Sequence, residues 1–176
     1  MLPMIVTASI CGREKMKDCS PYFPATKDEV IADGIRSYKH GAPQLHIHAR
    51  NDEGTYTYDP VIFGEILDAF RKECPKAVLQ ISTGGTYSKP DELLKPLLAL
   101  KPDAATLALQ PDKQTNIELL KIFESYGVKP IIECFSIENA KTAIALMAEG
   151  YVSPPMNLEF LYDDHIKDMS FAEAAG

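Results

Sequence analysis

Paired cysteines, basic runs and long apolar stretches are all missing from this sequence, and each absence removes a class of function. The four cysteines, Cys11, Cys19, Cys74 and Cys134, form no CxxC pair. They make no framework of the kind a short secreted chain uses, so they read as reduced thiols of a cytosolic protein. Basic residues do not cluster, and the formal net charge is −7. A phosphate backbone or an anionic lipid surface would be repelled, which excludes nucleic acid and membrane as partners. The apolar opening Met1 to Ile10 has neither a basic flank nor a small-residue cleavage site. Apolar runs elsewhere fall well short of the roughly 20 residues that cross a bilayer. The expected location is the cytoplasm. A glycine-rich phosphate loop is missing too: the first candidate loop, Cys11-Gly-Arg-Glu-Lys15, carries one glycine where a nucleotide-binding sheet wants GxGxxG or a P-loop. No linker, low-complexity tract or charge block divides the 176 residues, which predicts a single domain over residues 1–176.

What is present alternates between short β-type runs and longer segments of helical period. Strands are expected at Met4–Ile10, Gln44–Arg50, Ala77–Thr83, Ala104–Leu109, Val128–Phe135 and Met156–Leu161. Thr26 with Glu29 is a capping box, and Gly41 closes the helix that follows. Asp59-Pro60 is an N-cap with proline in the first helical position, and further helices are expected over Asp91–Leu100, Ile117–Tyr126 and Ala140–Glu149. Strands alternating with helices and no hairpin signals mean βαβ crossovers and a parallel sheet. Polar residues fall at the ends of several strands, as at a barrel mouth, so a (β/α) barrel is preferred to an open doubly wound sheet. About six strands stand where a full barrel has eight, so the barrel is expected to be incomplete and truncated at its C-terminal end.

His46 and His48 lie in Leu45-His-Ile-His-Ala-Arg50. Residues i and i+2 of a strand share a face, so two imidazoles near a strand end make half of a divalent-metal site. The bland alternative is a pair of buried, hydrogen-bonded histidines. Zinc normally takes at least three protein ligands, so the pair alone is incomplete. His40 reads as a helix-end residue and His165 as part of the tail. Glu133 is a carboxylate in an otherwise apolar strand; it must meet a cation, Arg50 being one candidate, or serve chemistry. Ser82-Thr83-Gly84-Gly85 offers hydroxyls and backbone N–H groups ahead of a helix, a cradle for a carboxylate or phosphate, or simply a turn. Glu14 lies in the first loop.

Taken in order, Thr7-Ala-Ser-Ile-Cys-Gly-Arg-Glu14, Ser20-Pro-Tyr-Phe-Pro24, Gly41-Ala-Pro-Gln-Leu-His-Ile-His-Ala-Arg50 and Thr83-Gly-Gly85 resemble the β-keto acid cleavage enzymes, among them those of lysine fermentation. Lys101-Pro-Asp-Ala-Ala-Thr-Leu107, Lys129-Pro-Ile-Ile-Glu-Cys-Phe135 and Glu149-Gly-Tyr-Val-Ser-Pro-Pro155 extend the likeness. The resemblance implies a zinc-dependent (β/α) barrel that transfers an acyl group between a small β-keto acid and acetyl-CoA by a retro-Claisen route. It makes His46 and His48 zinc ligands and gives the carboxylate to Ser82, Thr83, Gly84, Gly85 and Thr106. Glu14 and Glu133 become catalytic-site carboxylates facing the distal end of the substrate. The family's third zinc ligand, a glutamate, and its partner aspartate belong to last strands that this sequence does not contain. Ala108 and Gln80 stand where many members carry asparagine. Three readings follow: an acyltransferase, complete as a homo-oligomer; a non-catalytic remnant or a subunit that needs a C-terminal partner; or another metal-dependent hydrolase, which the shortage of histidines disfavours.

Overall fold

The computed structural model describes residues 5–13 and 20–161. They group into two compact units, Met1–Ala104 and Ala105–Gly176. In the first unit, β1 (Thr7–Ser9) leads to α1 (Lys27–Lys39), β2 (Gln44–Ile47), a short hairpin of β3 (Ala49–Arg50) and β4 (Tyr56–Thr57), α2 (Pro60–Glu73) and β5 (Val78–Ile81). A π-helical turn over Pro90–Leu94 runs into α3 (Lys95–Ala99). The strand β6 (Ala104–Ala108) straddles the boundary. In the second unit follow α4 (Lys113–Tyr126), β7 (Lys129–Cys134), α5 (Ile137–Ala148) and β8 (Asn157–Phe160).

Helix starts follow local chemistry. The Thr26 hydroxyl accepts from Glu29 N–H while the Glu29 carboxylate accepts from Thr26 N–H, which satisfies two otherwise orphaned donors of α1. Asp59 caps α2 ahead of Pro60, Asp112 caps α4 and Ser136 caps α5. Strand order follows chain order: β1 pairs β2 and β2 pairs β5, all parallel, and β7 pairs β8 in the same sense. Steps to the adjacent position without reversal mark a (β/α) barrel, because a doubly wound sheet reverses at its switch point. The fold is α/β of the (β/α) barrel type, with six of a barrel's strands among the described residues.

In the first unit the sheet has one greasy face and one polar face. Leu45, Ile47, Leu79 and Ile81 are fully buried, and Phe63, Ile66, Leu67 and Phe70 supply the apolar stripe of α2 at helical spacing. The alternate positions, Gln44, His46 and Gln80, carry polar groups to the opposite face, where Gln44 donates from Nε2 to Gln80 Oε1. Helices α1 and α2 approach so closely that a Cβ on Gly34 would lie 2.3 Å from the Phe70 ring. In the second unit, buried Asn116 on α4 locks the preceding loop by accepting from Gln110 N–H at 2.7 Å and donating to Gln110 O at 2.8 Å.

One element departs from the pattern expected. The stretch to Arg50 is not one strand: β2 ends at Ile47, and Ala49 and Arg50 pair antiparallel with Thr57 and Tyr56. Asn51 closes the turn by accepting Thr55 N–H on its side chain at 2.8 Å, and Gly54 takes the positive φ of 80° that the turn requires.

Candidate active site

His46 comes from β2, opposite Ser9 on β1 and Gln80 on β5, and is 6% exposed. His48 sits just past the strand, where the chain bends into the hairpin. The two rings meet edge to face at 4.9 Å between centroids, and their Nε2 atoms are hydrogen-bonded to each other at 3.0 Å, one donating and one accepting. Two nitrogens on one zinc at about 2.0–2.1 Å, with a tetrahedral angle between them, would stand about 3.3 Å apart, close to what the chain presents. Burial, then the neighbouring His46, Arg50 and Arg13 side chains, hold the His48 pKa down at about 3. A ligand imidazole must be neutral, and burial favours that form of His48. The donor chemistry therefore fits a divalent metal as a half-site. Among the described residues, no group of three or more His, Cys, Asp or Glu could hold a metal.

Arg50, 2% exposed, ties the surroundings of this pair together. Its guanidinium donates to Gly54 O at 2.7 Å, Gly12 O at 2.6 Å and Arg13 O at 3.4 Å, and lies 4.8 Å from the centroid of the Phe23 ring. The first loop and the hairpin turn are thus held on one buried cation. Cys11, also buried, directs its Sγ to His48 O at 3.5 Å, and burial raises its thiol pKa. Burial pushes the Cys134 thiol up to about 11. Protonated, enclosed thiols of this kind pack and do not attack.

Ser82 follows β5, buried, with its N–H donating to Ile47 O at 2.9 Å. Thr83 is already engaged: its hydroxyl pairs with Tyr87 Oη at 3.0 Å, and its carbonyl accepts from the Thr86 N–H and hydroxyl. The helix expected over Asp91–Leu100 is found over Pro90–Leu94 and Lys95–Ala99, so the Gly84-Gly85 turn presents its backbone without a helix terminus directly behind it. Gly85 adopts φ 94°, and a Cβ there would lie 2.6 Å from Tyr58 Oη.

Thr106 and Glu133 belong to the second unit. Thr106 is fully buried on β6. Glu133 lies on β7 in register with Glu159 on β8, so the two carboxylates share one face of adjacent strands. Burial first, and then the Glu159 charge, raise the Glu133 pKa from 4.5 to about 7. The folded state therefore binds the proton more tightly than the unfolded chain. Stability is expected to fall as pH rises from about 4.5 to about 7 and to lose no more from this group above that. Glu133→Gln should flatten that slope and be more stable than the parent by about 1–3 kcal/mol at pH 8, with little difference at pH 4. Urea unfolding at the two pH values checks this; an unchanged slope would mean that Glu133 does not carry it. Glu14 lies outside the described residues.

Sequence reasoning missed Tyr56, Tyr58, Arg13 and Glu159. The ring of Tyr56 lies 5.7 Å from that of His48 and 4.8 Å from that of Tyr58, and the Arg13 guanidinium lies 5.6 Å from the Tyr56 centroid. Burial, and then the neighbouring Tyr58 phenol, keep the Tyr56 pKa far above its ordinary value. The alternation Tyr56-Thr-Tyr58 after the turn residues Asn51-Asp-Glu-Gly54 was the available signal for the hairpin.

Residues 3–169 match the family model described as beta-keto acid cleavage enzyme. The chain is 35% identical over 173 residues to a 3-keto-5-aminohexanoate cleavage enzyme of Fusobacterium nucleatum subsp. nucleatum, covering 92% of this chain and 63% of that one. It is 28% identical over 169 residues to a 3-oxoadipate:acetyl-CoA acetyltransferase of Cupriavidus necator, covering 90% and 59%. The apo structure of ObcA superposes with a TM-score of 0.67 at 19% identity, covering 79% of this chain and 36% of that one. The chain thus spans less than two thirds of the length of either curated relative.

Proposed function

Because the chain belongs to the β-keto acid cleavage enzyme family, we propose that it binds a small β-keto acid beside His46 and His48 and takes part in acyl transfer between that acid and acetyl-CoA. The observation that carries the reading is that the two imidazoles are brought together at the end of β2, Nε2 to Nε2 at 3.0 Å. When bound there, zinc would supply Lewis-acid polarisation of the keto carbonyl. His46 and His48 would hold it, the latter kept neutral by burial. Ser82 and the Gly84-Gly85 backbone would take the substrate carboxylate, with Thr83 supporting the turn through Tyr87. Thr106 and Glu133 carry over from the family pattern as substrate-facing residues, and the raised pKa of Glu133 suits a group that exchanges a proton near neutrality. Buried free thiols at Cys11, Cys74 and Cys134 support a reducing, cytoplasmic setting. No helix among the described residues is long and apolar enough to cross a membrane.

Incubation of the zinc-loaded chain with 3-keto-5-aminohexanoate and isotope-labelled acetyl-CoA, followed by mass spectrometry, tests the proposal. Label is expected in the released β-keto acid, with loss on chelation and recovery on zinc addition. Absence of transfer by the loaded chain, or transfer indifferent to chelator, would contradict it.

A further inference from the structure

In the second unit, β7 and β8 run parallel with Glu133 opposite Glu159. Neighbouring strands lie about 4.7–4.9 Å apart, and register partners point their side chains to the same face. The two glutamates, equal in length, therefore rise side by side from adjacent backbones. The opposite face of the same strands is apolar: Ile132 stands against Leu158 and Cys134 against Phe160, with Ile132 and Cys134 fully buried. On the carboxylate face, Ile131 and Asn157 precede the pair and carry no charge.

Glu133 has no cation at hand. Among the described residues no ion pair joins it to a lysine or arginine. On its other side, the β6 residues Ala105 to Ala108 carry no ionisable group. Helices α4 and α5 pack against β7, but their charges face outward: Lys113 pairs with Glu149 and Lys141 with Glu138, while Glu118, Lys121 and Glu124 are exposed. Lys129, at the start of β7, is exposed as well. The charge that acts on Glu133 is that of Glu159. Like charges at facing positions of adjacent strands repel, and burial penalises each of them further. One proton on the pair removes the repulsion and adds a hydrogen bond to an ionised acceptor, a stronger bond than one between neutral groups.

We propose that Glu133 and Glu159 form an acid–carboxylate pair that holds a single proton from mildly acidic pH up to neutrality, with Glu159 as the positioning residue that keeps this proton on Glu133. The Glu133 O–H donates to the Glu159 carboxylate, so the face presents one charge in place of two. A base that takes the proton leaves both carboxylates charged, and the next proton returns to the same place. Glu159 thereby sets the pH range over which Glu133 can give up and regain a proton, in keeping with the rise of the Glu133 pKa to about 7. That Glu133 meets the substrate rests on the acyl-transfer reading above; the pairing of the two carboxyls does not.

Carbon-13 NMR of the chain labelled at the glutamate δ-carboxyl tests the pair, with Glu133→Gln and Glu159→Gln assigning the two resonances. In the parent, Glu133 is expected to titrate close to neutrality, and the Glu159 carbon should inflect at the same pH because the two sites are coupled. In Glu159→Gln the Glu133 midpoint is expected to fall by at least about half a pH unit, since burial alone then raises it. Glu159→Asp keeps the charge and should restore most of that loss. Glutamine nearly preserves the volume and relieves the repulsion, so Glu159→Gln should melt no lower than the parent at pH 8. A Glu133 midpoint unmoved in Glu159→Gln, or one near 4.5 in the parent, overturns the proposal. The pH profile of acyl transfer in the same variants separates the two readings. A profile that moves down with the NMR midpoint in Glu159→Gln, and back in Glu159→Asp, supports both. A midpoint that moves while the profile stays put keeps the pair and removes Glu133 from the reaction.

Discussion

A chain with His46 and His48 both replaced by alanine is expected to lose zinc affinity by a factor on the order of a hundred or more. Under the proposal each imidazole would contribute a metal–nitrogen bond, and the two Nε2 atoms that would do so lie within 3.0 Å of each other. Removing one leaves a single buried nitrogen that cannot hold the ion alone; removing both leaves alanine methyls. The single variants separate the two residues. His46 lies within β2, its backbone held by register with β1 and β5, so its replacement tests the metal with the frame kept. His48 lies at the bend and touches Tyr56, so its replacement should also loosen the hairpin. Competition against a chelating dye measures all three affinities. Equal affinity in the parent and the double variant would mean that zinc binds elsewhere.

Arg50→Met is expected to destabilise the first unit by about 3 kcal/mol. Methionine fills much of the same space but donates nothing, so the carbonyls of Gly12, Arg13 and Gly54 lose a charge-assisted donor inside the protein. Each such loss costs about 1–3 kcal/mol before relaxation, and solvent reaching the loop recovers part of it. Arg50→Lys keeps the charge but cannot span the loop and the turn at once, so it should cost about half as much. Urea unfolding reads the sizes. A methionine variant within about 0.5 kcal/mol of the parent would show that the guanidinium does not clamp these two segments.

Features that depend on local chemistry could be read directly from the residues. Thr26 with Glu29, and Asp59 before Pro60, announce helix starts because capping is decided within four residues. The spacing of Phe63, Ile66, Leu67 and Phe70 announces which face is buried. The histidine pair was legible for the same reason, although the two rings meet across a bend and not along one strand. Features that depend on which segments lie side by side were not legible. Nothing near Glu133 says that Glu159, 26 positions away, stands next to it; the β7–β8 register does. The hairpin after His48 was hidden because Ala49-Arg50 continues an apolar run, and its short strands pair for only two residues each. That hairpin carries Tyr56 and Tyr58, so missing it concealed the phenols beside the histidines. Arg50 drew attention as a possible partner of Glu133, yet its guanidinium donates to backbone carbonyls of the first loop and the hairpin turn.

The most direct test of the account is the zinc-edge X-ray absorption spectrum of the chain loaded with one equivalent of zinc. Two imidazole nitrogens at about 2.0–2.1 Å, with the multiple-scattering signature of histidine, are expected, and that signature should vanish when His46 and His48 are both alanine. A sulfur shell at about 2.3 Å in the parent, or a spectrum unchanged in the double variant, would contradict the assignment of this pair as the metal half-site.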